Sequence, residues 1–430
     1  MATLAHPPPT AAPAAPRQPE PLQAAFWWLA AFLAVYCARP EDWIPGVGHI
    51  HPEKVIGGLA LLALILGMAR ARPEVLKLSP SMKLLVVLFL DMLVGAFFSP
   101  VWRGGAVSMV AKKFSEVVIV AIAITWVATR LRRVRTLLFL QAGTVALIAL
   151  VSLEKSRSDM GRLAGALGGN YSNPNDLALA LVLAIPLCLG FLLLSRRKLR
   201  KLAWAGAIVV MIYVITLTYS RGGFLSLMVA IGVSVWELGV RGKRKWLVWG
   251  TALMLASLLA AAGPSGYGAR LATILHPSTD KTGSAQQREQ LFWRSLTVTE
   301  HHPIFGVGAD NFAVVSGVWH VAHDSYTEMA ADCGVPALIL FVLILRAAFA
   351  DIRKVRQHSR NPETLVLAGA LRASMWAFVV GGCFSSVTYL FFPYLLMAYA
   401  CALKRTDPDA WNADGTTTPR QRSAAEMAIS

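Results

Sequence analysis

Arg221 is the first of three side chains whose type and position suit chemistry. It lies in YSRGG (Tyr219–Gly223), where one apolar stretch ends and the next begins. An arginine in this position is often an interfacial side chain whose charge reaches water. Two adjacent glycines, however, also let a ligand approach the backbone closely. We therefore interpret Arg221 as a ligand-binding residue.

His323 is the natural candidate for a general base. It opens HDSYTEMA (His323–Ala330), which has the pattern of a helix that runs toward a later apolar stretch. Imidazole titrates near neutral pH and can take the proton of a hydroxyl group. The alternative is that His323 caps this helix or packs on a membrane surface.

Arg288 is the third of these side chains. It lies in an amphipathic segment, where arginine is ordinarily a solvated charge.

The other polar residues of these motifs fit the starts of helices. NYSNPND (Asn170–Asp176) leads into an apolar stretch through Pro-Asn-Asp, so capping is the favoured interpretation of Asn173. Asp324 stands at the start of its predicted helix, where an acid interacts well with the helix dipole. Asp91 lies in the middle of an apolar stretch, but a proton or ion relay would need partners in neighbouring stretches.

The sequence predicts no metal site and no cofactor. Neither the pair His301 and His302 nor the pair His320 and His323 has the spacing of metal ligands on one helix face. The outer loops contain no carboxylate-rich cation motif. The cysteines show no CxxC or CxxxC spacing, so we interpret them as small packing residues: Cys37, Cys188, Cys333, Cys383 and Cys401.

The composition is that of a membrane protein. Of the 430 residues, 56% are hydrophobic and 15% are charged, which is too apolar for a soluble domain. The formal net charge of +17 comes from lysines and arginines that lie between the apolar stretches. This distribution indicates membrane topology and argues against nucleic-acid binding.

An all-α polytopic protein with about twelve transmembrane helices is predicted, since a crossing takes about 17 to 25 residues. The apolar stretches, some completed by flanking residues, are Leu22 to Cys37, Val55 to Ala69, Leu84 to Phe98, Phe114 to Thr129, Thr136 to Leu153, Leu177 to Leu194, Leu202 to Tyr219, Gly222 to Leu238, Trp246 to Ala262, Val335 to Ala350, Thr364 to Phe384 and Val387 to Leu403.

Short basic loops follow every even-numbered stretch, for example Arg130–Arg135 and Arg196–Lys201. Lysine and arginine beside a span are retained in the cytoplasm, so both termini are predicted to be cytoplasmic. On the opposite side one long loop should carry the functional residues, with helices at Ala285 to His301 and His323 to Asp332. The predicted order is a disordered tail (1–21), spans one to nine (22–262), this loop (263–334), spans ten to twelve (335–403) and a second tail (404–430).

Four motifs in this order resemble the O-antigen ligase and polymerase superfamily of bacterial envelope glycosyltransferases. They cover residues 165–350, whereas the first five spans agree only in being membrane spans. The motifs are NYSNPND (Asn170–Asp176), SRGG (Ser220–Gly223), the Arg288 helix running into HPIFGVGADNF (His302–Phe312), and HDSY (His323–Tyr326) before GVP (Gly334–Pro336).

The resemblance implies a GT-C-like, metal-independent glycosyltransferase in the bacterial inner membrane with a periplasmic active site. Its donor would be an undecaprenyl-diphosphate-linked glycan, and its acceptor a sugar hydroxyl group on lipid A core or another glycan. Arg221 and Arg288 would hold the diphosphate, and His323 would act as the general base in an inverting transfer. The further residues expected to contact substrate are Arg294, Asn173, Asp324 and Tyr326.

Three readings of the function stay open at this point. Ligase, polymerase and protein O-oligosaccharyltransferase share these motifs. A transporter of lipid-linked glycans is the alternative from another class, but it should show charged residues along several spans. The predicted spans are nearly free of charge, and the candidate groups cluster on one side, which favours an enzyme.

Overall fold

The computed structural model describes residues 22–154, 162–163, 171–247, 249–250 and 283–412, and this part of the chain is helical and contains no β-sheet. Eight of its helices are long and apolar enough to cross a membrane. The prediction of an all-α, multi-pass membrane protein is therefore confirmed. The count of twelve spans and the GT-C-like arrangement stay predictions.

The twelve longer helices are labelled in chain order, and a π-helical turn at Val235–Val240 continues the eighth. Their bounds are α1 (Gln23–Ala38), α2 (Pro52–Met68), α3 (Pro80–Phe97), α4 (Ser115–Val127), α5 (Leu131–Glu154), α6 (Pro174–Leu194), α7 (Lys198–Leu217), α8 (Arg221–Ser234), α9 (Ser284–His301), α10 (Ser325–His358), α11 (Pro362–Gly381) and α12 (Phe391–Arg405). Eleven of them correspond to predicted spans, whereas α9 belongs to the predicted outer loop. Most of the ninth predicted span and the first part of that loop lie outside the described residues.

Helix α6 is the central element that positions the site. It begins at Pro174, after Asn173 has accepted a hydrogen bond from the backbone N–H of Asn175. From Leu177 to Phe191 every residue of α6 except Leu189 is buried, in keeping with its apolar character all round. It packs against α5, α7, α8 and α11. A hydrogen bond between the Ser220 and Asn175 side chains shows that α6 and α8 start on the same side of the bundle.

Gly222 and Gly223 serve helix packing rather than ligand approach. Both are buried in the first turn of α8. A Cβ atom added at Gly223 would lie 2.7 Å from the Cβ of Ala178 on α6, and one added at Gly222 would clash with Phe384. Our expectation that a ligand uses the space beside these glycines is wrong, because neighbouring side chains fill it.

Gly223→Ala is expected to destabilise the protein by about 1–3 kcal/mol, since an extra methyl group must push α8 away from α6. Gly232→Ala in the same helix is the matched control, because no atom lies within 4 Å of the added Cβ. The control should be neutral or slightly stabilising. Thermal unfolding in detergent measures both, and equal midpoints for the two variants would contradict the packing role.

The loop between α9 and α10 is fastened to a break in α10. Gly334 has non-helical backbone angles (φ 88°, ψ 171°), and no side chain fits there because the Ile304 carbonyl lies against it. The N–H groups of Val307 and Gly308 donate to the carbonyls of Ala331 and Asp332, at 2.9 and 2.8 Å. The HPIFGVGADNF motif thus docks the loop between α9 and α10 onto the membrane bundle.

Asp332 and Asn311 complete this attachment. The Asp332 carboxylate accepts hydrogen bonds from the backbone N–H groups of Phe312 (2.7 Å) and Asp310 (3.1 Å) and from the Tyr389 hydroxyl (2.9 Å). The Asn311 amide donates to the Ser99 hydroxyl at 3.0 Å, which ties the loop to the end of α3. Residues 310–312, which precede His323 in the chain, are therefore bound both to α10 and to the end of α3.

Candidate active site

A cavity of about 220 Å³ brings together the three side chains singled out by chemistry. Three described helices begin at its wall: α6, α8 and α9. Its lining contains Arg162, Asn173, Pro174, Asn175, Tyr219, Arg221, Ser284, Gln287, Arg288 and His323. The positive ends of three helix dipoles and several guanidinium groups favour an anionic ligand in this cavity.

Capping side chains tie the starts of α6 and α8 to each other. The Ser220 hydroxyl accepts a hydrogen bond from the Gly223 N–H at 3.1 Å, which caps α8. The same hydroxyl donates to the Asn175 side-chain carbonyl at 2.8 Å. The cavity wall formed by these helix ends is therefore preorganised, and Asn173 is both a helix cap and a lining residue.

Arg221 reaches across the cavity to α9. Its guanidinium donates to the Ser284 hydroxyl at 2.7 Å. Ser284 and Arg288 are four residues apart on α9 and so share one helix face. Arg221 and Arg288 consequently line the same cavity from two different helices. This arrangement suits two arginines that bind one phosphate-bearing group together.

His323 is held in an unusual backbone conformation. Its φ of 56° lies in the left-handed region, which costs free energy for a residue other than glycine. The His323 N–H donates to the Ser386 hydroxyl at 2.9 Å, and the Ser325 hydroxyl accepts from the Val387 N–H at 3.1 Å. The segment between α11 and α12 thereby holds His323 so that its imidazole lines the cavity.

Burial and positive neighbours keep the His323 imidazole neutral. Desolvation lowers its pKa from 6.5 to about 4, and the charges of Arg288 and His320 act in the same direction. The neutral form can accept a proton, whereas the protonated form cannot. In the free protein the imidazole is thus in the base-competent form throughout the physiological pH range.

The pH profile of kcat/KM for transfer should therefore have its acidic limb near pH 4 instead of 6.5. Activity is retained above this limb and lost as pH falls through it, because protonation removes the acceptor site. A bound anion offsets the Arg288 charge, so the acidic limb of the single-turnover rate with donor already bound should lie at higher pH than that of kcat/KM. A kcat/KM limb at or above 6.5 would contradict a buried, neutral His323.

Other predicted substrate contacts are engaged elsewhere in the described structure. The Arg294 guanidinium donates to the Val315 carbonyl at 3.0 Å and does not line the cavity. Asp324 caps α10 by accepting from the N–H groups of Tyr326 and Thr327. The Tyr326 hydroxyl donates to the Val379 carbonyl at 2.9 Å. These three residues shape the protein around the cavity, and their contact with substrate stays a prediction.

Arg162, Tyr219 and Gln287 line the cavity but were missed by sequence reasoning. The Arg162 Nε donates to the Thr218 carbonyl at 2.9 Å, which fixes this arginine beside the last turn of α7. Tyr219 has a left-handed φ of 51° between α7 and α8. Gln287 could have been found, because it stands one residue before Arg288 and three after Ser284, on a face shared with the latter.

In the described part of the chain no group of three or more His, Cys, Asp or Glu side chains could hold a metal ion. The cavity itself presents guanidinium, amide, hydroxyl and imidazole groups. Such a set suits binding of a phosphate-bearing anion, with one neutral base beside it.

Comparison with known proteins agrees with this reading. No curated protein matched the chain. A protein-family model did match, over a stretch that spans about a third of the chain and contains Arg221, Arg288 and His323. The match supports a membrane glycosyltransferase of the O-antigen ligase or polymerase type. That family model is described as O-antigen ligase and matches residues 206–342, so the resemblance of this chain to the O-antigen ligase superfamily is confirmed over that stretch.

Proposed function

We propose that the protein transfers an oligo- or polysaccharide from undecaprenyl diphosphate to a sugar hydroxyl group. The acceptor is lipid A core in the reading we favour, and the reaction takes place on the periplasmic side of the bacterial inner membrane. The observation that carries this proposal is the convergence of Arg221, Arg288 and His323 on one cavity at which three helices begin.

The charges of the cavity support a diphosphate ligand. A lipid-linked sugar diphosphate carries two negative charges, and two arginine forks can bind its oxygens bidentately. Arg162 adds a third guanidinium, and the helix starts add partial positive charge. Together they stabilise the negative charge that builds on the diphosphate as the sugar departs, so the reaction as proposed needs no metal ion.

His323 provides the base. The acceptor hydroxyl oxygen attacks the anomeric carbon, its proton passes to a ring nitrogen of His323, and the bond from carbon to the diphosphate oxygen breaks. The diphosphate leaves with the electron pair and stays bound to the arginines. A single displacement of this kind inverts the configuration at the anomeric carbon.

A transporter of lipid-linked glycans fits the described residues less well. Charged side chains do occur within the predicted spans, as the ion pair between Glu237 and Arg372 shows, so these spans are less free of charge than the sequence suggested. Glu237, however, lies 16 residues after Arg221 along α8 and its π-helical continuation, or about 24 Å. A charged cluster so far from the cavity does not form a path that leads out of it.

Purified protein in lipid nanodiscs, given a labelled undecaprenyl-diphosphate glycan in the presence of EDTA, tests the proposal. We expect the label to move to lipid A core when core is supplied. Growth of the glycan on a second donor would identify a polymerase instead, and label on a peptide would identify a protein O-oligosaccharyltransferase. Absence of any transfer, or transfer that requires added Mg²⁺, would contradict the proposed mechanism.

A further inference from the structure

Three arginines surround one buried carboxylate at the end of α8 farthest from the cavity. Glu237 lies in the π-helical turn Val235–Val240, and 1% of its side chain is exposed. Arg372 and Arg241 approach one carboxylate oxygen at 3.1 and 3.6 Å, and Arg356 contacts the other. Arg356 on α10, Arg372 on α11 and Arg241 in the turn after Val240 therefore surround a single acid.

This cluster has an excess of positive charge. Three guanidinium groups offer roughly fifteen N–H donors, whereas one carboxylate accepts about four hydrogen bonds. Among the described residues, no second carboxylate lies within ion-pair distance of these three arginines. Arg353 adds a further positive charge close enough to repel Arg372. The cluster therefore carries positive charge that Glu237 alone does not neutralise, and an additional anion would offset it.

The surroundings are those of a membrane interface. Trp236 is 53% exposed, and the Arg241 guanidinium lies 5.7 Å from the centre of its ring. Tryptophan is enriched at the depth of lipid headgroups. Gly369 on α11 lets the π-helical turn come close, because an added Cβ would lie 2.8 Å from the Leu238 side chain.

We propose that Arg241, Arg356 and Arg372 bind the phosphate headgroup of an anionic phospholipid, on the side that we predict to be cytoplasmic. Guanidinium groups bind phosphate oxygens bidentately, and basic pockets between membrane helices on this side bind anionic headgroups. Glu237 fixes the arginines in place and leaves their remaining donors for the lipid. The site is separate from the cavity and does not depend on the proposed transfer reaction.

Lipid retention by the purified full-length protein tests this inference. The protein is equilibrated with vesicles of phosphatidylglycerol or of phosphatidylcholine, and bound lipid is measured by mass spectrometry. Arg241→Gln should weaken phosphatidylglycerol binding about fivefold, as expected for one arginine near a headgroup. The matched control is Arg135→Gln, since 46% of the Arg135 side chain is exposed against 49% for Arg241. Arg135 forms a one-to-one pair with Glu363 at 3.0 Å.

The control should change phosphatidylglycerol binding by less than about twofold, as for an exposed ion pair. Preferential retention of phosphatidylglycerol by wild type that is lost in Arg241→Gln supports the site. Equal binding of the two lipids, or equal losses in both variants, would overturn it. Displacement of phosphatidylglycerol by millimolar inorganic phosphate would identify a soluble anion as the ligand and overturn the lipid assignment.

Discussion

His323→Asn is expected to slow glycan transfer by about 10²–10⁴-fold, the usual contribution of a general base. Asparagine tolerates a left-handed backbone, so it fits the φ of 56° and keeps the N–H bond to Ser386. Its amide cannot accept the hydroxyl proton. Single-turnover transfer from a labelled lipid-linked glycan measures the loss, and donor binding should stay near wild type.

His320→Asn is the control for this variant. The two imidazole rings lie 6.4 Å apart, yet His320 is exposed and does not line the cavity. We expect His320→Asn to transfer glycan at close to the wild-type rate. Near-normal transfer by His323→Asn would remove His323 as the base, whereas loss of donor binding in that variant would point to a binding role.

Arg221→Lys should be nearly as damaging as Arg221→Ala, with a loss of about 10²–10³-fold in transfer. The Arg221 guanidinium already donates one hydrogen bond to Ser284 while it faces the cavity. A lysine ammonium keeps the charge but lacks the planar fork that bridges two acceptors at once. Single-turnover transfer together with donor binding would separate a defect in the reaction from one in affinity.

Arg103→Lys supplies the comparison, because Arg103 is exposed at the start of a short helix and does not line the cavity. It should transfer glycan normally. Full activity of Arg221→Lys would mean that charge alone suffices and that no bidentate contact is made. A defect shared by both lysine variants would indicate a general effect of the substitution.

The sequence was informative about the site wherever a residue stands at the start of a helix. Asn173 and Ser220 are cap residues with recognisable patterns, and the segments that follow them are apolar. The sequence also predicted that Arg221 and His323 stand at helix starts on one side of the membrane, and in the structure both line one cavity. The predicted helix at Ala285 to His301 is likewise confirmed as Ser284–His301.

The direction in which a side chain points from its helix was harder to predict than the position of the helix in the sequence. Arg288 and Arg294 are six residues apart, which corresponds to a rotation of about 240° around a helix. Only one of them can point into the cavity, and helical periodicity alone would have separated them. The role of Gly223 depends on Ala178, 45 residues earlier in the chain. The left-handed backbones at Tyr219 and His323 follow from contacts that no local pattern contains.

The helix starts that converge on the cavity have a consequence for turnover. On the proposed mechanism, the carrier lipid gains one negative charge when the sugar departs, because a diphosphate diester becomes a monoester. An electropositive cavity holds that spent carrier more tightly than the loaded one. We therefore expect its escape into the bilayer, and not bond cleavage, to limit the steady-state rate, so that added undecaprenyl diphosphate acts as a strong competitive inhibitor.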